Sequence, residues 1–391
     1  MMKKSVWRWL SLPFFAALIA LAGVIATSGA GLDDNRMAIS REIKEEAAIG
    51  TAAGLRTGGF APTRAPLSAE ELRDLTLYPG GMPFGVRFLT EGVTVVGFCD
   101  VDHDGGKVNP ASRAGLRMGD VILRVDGEPL ESAVTLTEKI ENSNGSELTL
   151  LCRRGKNEFE VKLKPAWSTS EERYKTGIWV RDSGAGIGTV TFILPDTGAF
   201  AGLGHGICDT ETGEPLAIRR GTVSDVTISS VVKGTPGNPG ELKGYFNAGK
   251  TGALLGNTVC GVWGVYSEVP QIAGEPIHVA LRDEIHEGDA TILCTLAENT
   301  IGEYSVRISA VNRDAEGPKC FTVTVTDPRL LEQTGGIVQG MSGSPILQDG
   351  KLILQDGKLI GAVTHVLVND PTTGYGIFLE NMLARMPIVA R

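Results

Sequence analysis

The chain has no stripe of basic residues with aromatic residues between them, and it carries an excess of negative charge. Its 37 lysines and arginines are outnumbered by 46 aspartates and glutamates, which gives a formal net charge of −9. Proteins that bind nucleic acid through its phosphates concentrate Lys and Arg on one face, often with aromatic residues between them. No such stripe occurs in this sequence, which argues against nucleic acid as a partner.

Metal and disulfide frameworks are also missing. The six cysteines are scattered without a C-x-x-C pair, which is too sparse for a disulfide scaffold. The sequence therefore predicts structural, mostly buried thiols, with a thiolate nucleophile at Cys208 as the alternative. His286 has no second histidine four residues later, so the H-E-x-x-H zinc motif is absent. No metal and no organic cofactor is implied.

Long apolar runs are confined to the N-terminus, where one covers about residues 10–26 behind three basic residues. A basic flank followed by an apolar run predicts a secretory signal or a membrane anchor within residues 1–30. Residues 31–70 are interpreted as a linker. The run is short for a membrane span and contains Pro13, so both alternatives stay open. In either case we expect the rest of the chain to be exported.

Residues 71–166 have the pattern of a small α+β domain. Short strands are predicted at 93–98, 120–126, 148–152 and 158–163, and a helix at 132–142. The run Ala111–Gly127 follows the pattern A-x-x-A-G-L-x-x-G-D-x-I-x-x-V-D-G, which resembles a PDZ domain of the bacterial type. Such a domain binds a peptide or only spaces a catalytic domain from the membrane.

The PDZ resemblance implies a carboxylate loop just upstream of the motif. Its backbone N–H groups would receive the C-terminus of a peptide, and the edge strand would add that peptide as an extra strand. The residues of this loop would be Gly80, Gly81, Met82, Pro83, Phe84 and Gly85.

The remaining segment, 167–391, contains many short β runs separated by Gly, Pro and Asp, which predicts a β-barrel or sandwich pair. Late in this segment lies the run Gly340–Pro345, G-M-S-G-S-P. Glycines on both sides of Ser342 allow a tight turn that projects the hydroxyl and leaves backbone N–H groups to bind an oxyanion. Ser344 is the competing nucleophile, and a Gly/Ser-rich hairpin turn is the simpler interpretation of a bare G-x-S-G.

A serine nucleophile needs a histidine base, and the chain has five histidines. Glycines flank His205, which lies upstream of the serine. His365 is predicted on the strand after the nucleophile, His278 in an alternating strand and His103 in a polar loop of the PDZ-like unit. These settings favour His205 as the base.

Four long segments have distinctive patterns, namely Ala201–Asp209, Thr235–Glu241, Thr326–Ile346 and Gly361–Pro371. Together they resemble the SpoIVB stage IV sporulation peptidases. The likeness extends from about Tyr78 to the C-terminus.

The SpoIVB resemblance implies a mainly β chain with a trypsin-like double β-barrel peptidase domain. It assigns Ser342 as nucleophile, His205 as base and Asp327 as the orienting acid, with the backbone N–H groups of Gly340 and Ser342 as the oxyanion hole. For Asp327 a helix or turn cap ahead of proline is the alternative. Asp209 and Asp196 are the substitute acids.

The same resemblance implies a role in sporulation signalling. The enzyme would enter the space between the two forespore membranes, anchored to the forespore membrane or released from it. There it would cleave itself and a membrane-bound inhibitory partner, so that an intramembrane protease can process the precursor of sigma factor K. Its own N-terminal region is a possible substrate or PDZ ligand. A catalytically impaired PDZ-bearing adaptor is the alternative.

One segment departs from the family pattern. The run Ile346–Leu352 is repeated at once as Ile353–Leu359. An odd insertion would reverse the faces of a strand, so we expect the extra residues to loop out. The backbone should leave the family path near Gln348 and rejoin it by about Gly357, which leaves Ile360–His365 in register beside the nucleophile.

Overall fold

The computed structural model describes residues 67–209, 213–270, 275–297, 300–349 and 357–386. The predicted anchor at 1–30, and the predicted linker as far as residue 66, lie outside these ranges. Within them, no helix combines the length and the apolar character needed to cross a membrane.

The described chain is mainly β, as predicted, with five short helices. The helices are α1 (Ala69–Asp74), α2 (Pro110–Arg113), α3 (Ala133–Asn142), α4 (Pro328–Thr334) and α5 (Leu379–Leu383). The strands are β1 (Thr76–Pro79), β2 (Pro83–Phe98), β3 (Val101–His103), β4 (Gly106–Val108), β5 (Val121–Val125), β6 (Glu128–Pro129), β7 (Leu148–Arg154), β8 (Asn157–Leu163), β9 (Ala166–Ser168), β10 (Arg173–Lys175), β11 (Ile178–Ile193), β12 (Ala199–Gly202), β13 (Ile218–Val232), β14 (Glu241–Phe246), β15 (Gly252–Thr258), β16 (Gly261–Tyr266), β17 (Ile277–His278), β18 (Gly288–Thr295), β19 (Ile301–Ser309), β20 (Phe321–Val325), β21 (Pro345–Gln348), β22 (Lys358–Leu367) and β23 (Asp370–Phe378).

The described chain contains two closed barrels. In barrel one, the strands follow the order β11-β12-β16-β15-β13-β2, and β2 pairs back with β11 to close the ring. Barrel two has the order β18-β19-β20-β23-β22-β21. Closure leaves no unpaired edge in either ring and encloses an apolar interior. This agrees with the predicted double β-barrel.

The PDZ-like unit consists of the last part of β2 with β5, β7 and β8, covered by α3. Its core is a separate apolar cluster that includes Val95, Ile122, Leu136 and Leu150. The side chain of Ser132 caps α3 by accepting a hydrogen bond from the Thr135 N–H, which satisfies one of the unpaired donors of the first turn.

The PDZ-like unit and barrel one share two strands. β2 and β11 are each 16 residues long and run side by side from Pro83–Thr189 at one end to Phe98–Ile178 at the other. Ile178 and Val180 pack on the PDZ-like core, whereas Phe84 packs in barrel one. The structure thus divides the chain differently from the predicted boundaries of 71 and 166, because the shared strands belong to both units.

The predicted carboxylate loop lies inside barrel one. The N–H groups of Gly80 and Gly81 donate to the carbonyls of Thr191 and Val190 at 2.9 and 2.8 Å. The Phe84 side chain is 1% exposed and packs edge-on against Phe200.

The strand that follows this segment has no open edge at which a peptide could be added. Over Phe84–Leu89, β2 pairs with β11 on one side and with β13 on the other. This differs from the expectation for a PDZ carboxylate loop, which needs unpaired N–H groups and an open strand edge.

The tandem copy separates two strands that pair with each other. β21 and β22 form a hairpin in which Gln348 pairs with Lys358 and Leu347 with Leu359. The residues between Asp349 and Gly357 lie outside the described ranges, so the predicted path of the copy itself is not described. Beyond it, β22 returns to Ser344, whose carbonyl accepts the Val363 N–H at 2.9 Å.

Candidate active site

Ser342 lies in a loop of barrel two that packs directly on barrel one. The loop follows α4, which ends at Gly335 in the left-handed conformation, and precedes β21. A Cβ at Gly343 would lie 2.0 Å from the Thr189 carbonyl and 2.5 Å from the Leu203 nitrogen. Only glycine permits this approach, so the residue after the serine brings the loop against the segment that leads to His205.

Two N–H groups of this loop are available to a further acceptor. The N–H groups of Gly340 and Ser342 donate to no acceptor among the described residues, whereas those of Met341, Gly343 and Ser344 all do. The carbonyl groups of the two residues that precede these donors accept hydrogen bonds from other residues. Gln339 accepts from Leu242 at 2.8 Å, and Met341 accepts from Ser344 at 2.9 Å. Because N–H and C=O point in opposite directions across a trans peptide, these bonds fix the directions of both donors.

Ser342 and Ser344 differ in access. Ser344 is fully buried, and its Oγ has no hydrogen-bond partner among the described residues. Ser342 is half-buried and therefore reachable from solvent. Its Oγ donates to the Thr364 carbonyl on β22 at 2.8 Å. A substrate can therefore reach the Ser342 hydroxyl but not the Ser344 hydroxyl.

His205 follows β12 of barrel one, and its ring lies against the ring of His365 on β22. The two ring centroids are 4.8 Å apart, and His365 directly follows Thr364, the acceptor of the Ser342 hydroxyl. The Ser342 loop, the segment that carries His205 and the strand that carries His365 thus meet at the junction of the two barrels.

The ring of His205 is held in one tautomer. Its Nδ1 lies 2.9 Å from the Gly206 carbonyl, so Nδ1 carries the proton and Nε2 keeps its lone pair. Burial lowers the pKa of His205 below its usual value, and the bond to Gly206 opposes this. A neutral imidazole with an unprotonated Nε2 is the form that a general base requires.

His365 is neutral as well. Burial, His205 and Lys319 together lower the pKa of His365 to about 3. The other three histidines lie elsewhere: His103 contacts the Trp167 carbonyl, His278 the Arg73 carbonyl and His286 the Asp349 carboxylate.

Asp327 is placed differently from the prediction. It is the N-cap residue of α4, and its carboxylate accepts from the backbone N–H of Arg329 and of Ser305 at 2.9 and 3.2 Å. Its Oδ2 also pairs with the Arg329 guanidinium at 2.8 Å. The Arg329 hydrogen bond chiefly lowers the pKa of Asp327 to about 2. His205 is not among these partners. The contacts of Asp327 are those of a helix cap, which is the alternative interpretation given above.

The substitute residues have other surroundings. Asp209 forms an ion pair with Arg181 at 3.7 Å, and Asp196 is exposed in the turn between β11 and β12. Burial raises the pKa of Cys208, and nearby carboxylates add to this, which keeps the thiol protonated and disfavours it as a nucleophile. All six thiols are free and four are buried, as predicted.

No cluster of three or more His, Cys, Asp or Glu side chains able to hold a metal occurs in the described ranges. Two site residues escaped the sequence analysis, namely Thr189 and Thr191, whose hydroxyls donate to the carbonyls of Gly340 and Gly343. The available signal was their alternation with Val190 and Phe192, which places two polar side chains on one face of a segment that is otherwise apolar.

Comparison with protein families gives two matches. Residues 172–383, more than half of the chain, match the family model described as SpoIVB peptidase S55. Residues 108–154 match a PDZ domain model. None of the curated proteins matches the chain.

Similar solved structures cover parts of the chain. The PDZ domain of the SdrC-like protein from Listeria monocytogenes is 22% identical, with 23% of this chain and 87% of that one covered and a TM-score of 0.19. The active form of the Rv3671c protease from M. tuberculosis is 15% identical, with 53% and 74% covered and a TM-score of 0.29. Deg5 is 14% identical, with 51% and 80% covered and a TM-score of 0.29.

Proposed function

This chain is a serine endopeptidase of the SpoIVB peptidase S55 family, and we propose that Ser342 is its nucleophile and His205 its general base. The assignment rests on one observation. The Ser342 loop packs closely on barrel one, where Gly343 lies against the Thr189 carbonyl and the Leu203 nitrogen. That contact holds the serine loop beside the segment that ends in His205. In this arrangement each barrel contributes one reacting side chain.

The reaction begins with attack of Ser342 Oγ on the carbonyl carbon of the scissile peptide bond. For this the hydroxyl turns from the Thr364 carbonyl, its acceptor in this structure, towards Nε2 of His205. Nε2 accepts the proton as the C–O bond forms and donates it to the departing amine as the C–N bond breaks. Water then releases the acyl group by the same steps in reverse order. The N–H groups of Gly340 and Ser342 bind the oxyanion at both stages.

A backbone carbonyl takes the place of the orienting carboxylate. The Gly206 carbonyl accepts the Nδ1 proton of His205 and so holds the tautomer that the base requires. A neutral carbonyl stabilises the imidazolium less than a carboxylate does. This fits the lowered pKa of His205 and predicts a slower enzyme than one with a complete triad.

A fluorophosphonate probe, which reacts only with activated serines, tests the assignment on the full-length protein. Wild type should be labelled at Ser342, as located by peptide mapping. Ser342→Ala should lose the label and at least about 10³-fold of its peptide hydrolysis. Ser344→Ala is the matched control, because it removes a hydroxyl two residues away that is buried, and it should keep the label.

Labelling at Ser344, or full hydrolysis by Ser342→Ala, would overturn the assignment. A folded wild-type protein that is neither labelled nor active under any condition would support the adaptor alternative instead.

The substrate is proposed to be a protein of the membrane-associated complex that processes the sigma factor K precursor, in the space between the forespore membranes. Self-cleavage within the N-terminal region is part of this proposal. Family membership supports the role, and the basic flank and apolar run near the N-terminus support export. Replacing the wild-type chain by Ser342→Ala in the sporulating cell should stop processing of the sigma factor precursor. The variant itself should remain longer than the wild-type protein, because it no longer cleaves its own N-terminal region. Processing that continues with this variant would contradict the proposal.

A further inference from the structure

Two threonines of barrel one hold the nucleophile loop of barrel two. Thr189 and Thr191 lie two residues apart on β11, so their side chains share one face of the strand. Both are buried, at 2% and 0% exposure. The Thr189 hydroxyl donates to the Gly340 carbonyl and the Thr191 hydroxyl to the Gly343 carbonyl, each at 2.8 Å. The two bonds bracket Ser342.

Thr189 also binds both sides of the site through its backbone. Its N–H donates to the Ser342 carbonyl at 3.0 Å, and its carbonyl accepts the Leu203 N–H at 3.2 Å. Leu203 is two residues before His205. A single residue therefore contacts the nucleophile, the oxyanion loop and the segment that carries the base.

We propose that Thr189 and Thr191 are positioning residues, which fix Ser342 and the two oxyanion donors relative to His205. The proposal rests on the assignment of Ser342 as nucleophile. The loop would otherwise have alternatives, because Gly340 and Gly343 both have φ near +97° and glycine peptides rotate at low cost. The Gly340 carbonyl belongs to the peptide between the two oxyanion donors, so the Thr189 hydroxyl holds the peptide that links them.

Valine substitution removes each hydroxyl at nearly constant shape. Losing one oxyanion donor costs on the order of 10²–10³ in kcat in other proteases. Thr189→Val should therefore lower kcat by about 10- to 100-fold and leave KM within about threefold. Thr191→Val should act in the same direction. Serine keeps the hydroxyl, so Thr189→Ser should restore kcat to within about threefold of wild type.

A matched control lies in the same interface between the barrels. Thr295 is buried at 2% exposure, and its hydroxyl donates to the Gly81 carbonyl at 3.0 Å and not to the nucleophile loop. Thr295→Val removes a bond of the same kind, so it should lower Tm as much as Thr189→Val while kcat stays near wild type.

The decisive readout is the affinity of a peptide boronate, which mimics the tetrahedral intermediate. Across the Thr189 and Thr191 variants its Ki should rise in parallel with the fall in kcat. The proposal is overturned if Thr189→Val and Thr295→Val lower kcat equally, or if Ki stays constant while kcat falls. Should Thr189→Val not fold, Thr191→Val and Thr189→Ser give the same comparison. Fluorophosphonate labelling of the wild-type protein tests the assignment of Ser342 separately from the positioning role of the threonines. If Ser342 is not labelled, the proposed function itself is contradicted.

Discussion

Replacing Asp327 by asparagine separates the two roles considered for this residue. Asparagine caps helices about as well as aspartate, so Asp327→Asn keeps the N-cap of α4 and removes only the charge. In the structure that charge serves the ion pair with Arg329. We therefore expect a loss of stability with almost no loss of catalysis.

The size of the stability loss follows from the pKa of Asp327. The pKa falls from 3.8 to about 2 on folding, which corresponds to roughly 2 kcal/mol. The Arg329 side chain is 66% exposed, so solvent and salt reduce the measured value towards about 1 kcal/mol. Because the folded-state pKa is depressed, this contribution is present above about pH 4. It disappears as the pH falls through 2.

The assay combines urea unfolding with steady-state hydrolysis of a peptide substrate. At pH 7, Asp327→Asn should unfold with a free energy lower by about 1 kcal/mol, and the difference from wild type should shrink below pH 4. Its kcat should stay within about threefold of wild type. Arg329→Met, which removes the partner charge, should cause a similar loss of stability with the same small effect on kcat.

A catalytic acid would give the opposite pattern. Removing the charge of the orienting aspartate in a serine protease triad lowers kcat by about 10⁴-fold. A fall of that size in Asp327→Asn, with an unchanged unfolding curve, would refute the cap assignment. It would mean that the working enzyme carries Asp327 to His205 in an arrangement other than the one described.

Three further predictions follow from the described contacts. Because burial lowers the pKa of His205, its base form persists in mild acid, so kcat/KM should fall only as the pH drops below about 6.5; an acid limb at higher pH in the pH–rate profile would contradict this. Phe84→Ala should cost about 3–5 kcal/mol in thermal unfolding and impair cleavage of protein and short peptide alike, whereas selective loss of protein cleavage would reinstate the carboxylate loop. Deleting residues 350–356 joins Asp349 to Gly357 as a two-residue hairpin turn, for which Asp349 already has a positive φ of 61°. The deletion variant should keep wild-type activity, and its stability should stay within about 1 kcal/mol of wild type. An inactive deletion variant would show that the copy has a function.

The sequence predicted local elements of the PDZ-like unit well. The helix expected at 132–142 is α3 (Ala133–Asn142) with Ser132 as its cap, and the strand expected at 158–163 is β8. Alternating side chains and a serine cap are signals carried by the neighbouring residues themselves. Such elements can be predicted without knowing which distant residues pack against them.

The extent of β2 and the role of Asp327 could not be predicted in this way. Phe84 and Gly85 follow a Gly-Gly-Met-Pro run that is typical of a loop, yet pairing with β11 and β13 makes them strand. Asp-Pro gives the same local signal for a helix cap and for a rigidly held acid. The partners of the carboxylate separate the two interpretations: it accepts from Arg329 in the same helical turn and from the Ser305 N–H, which barrel two brings near.

The shared strands β2 and β11 have a consequence for how the molecule unfolds and responds to ligands. A linker between independent domains can be cut by a protease and lets the domains melt separately. A strand that belongs to both units offers no exposed linker of this kind. The PDZ-like unit and barrel one should accordingly melt in one cooperative transition. Any ligand that binds the PDZ-like unit then stabilises barrel one by the same RT ln(1 + [L]/Kd). Occupancy of that unit would thus raise the free energy of unfolding of barrel one, even for a ligand that never approaches Ser342.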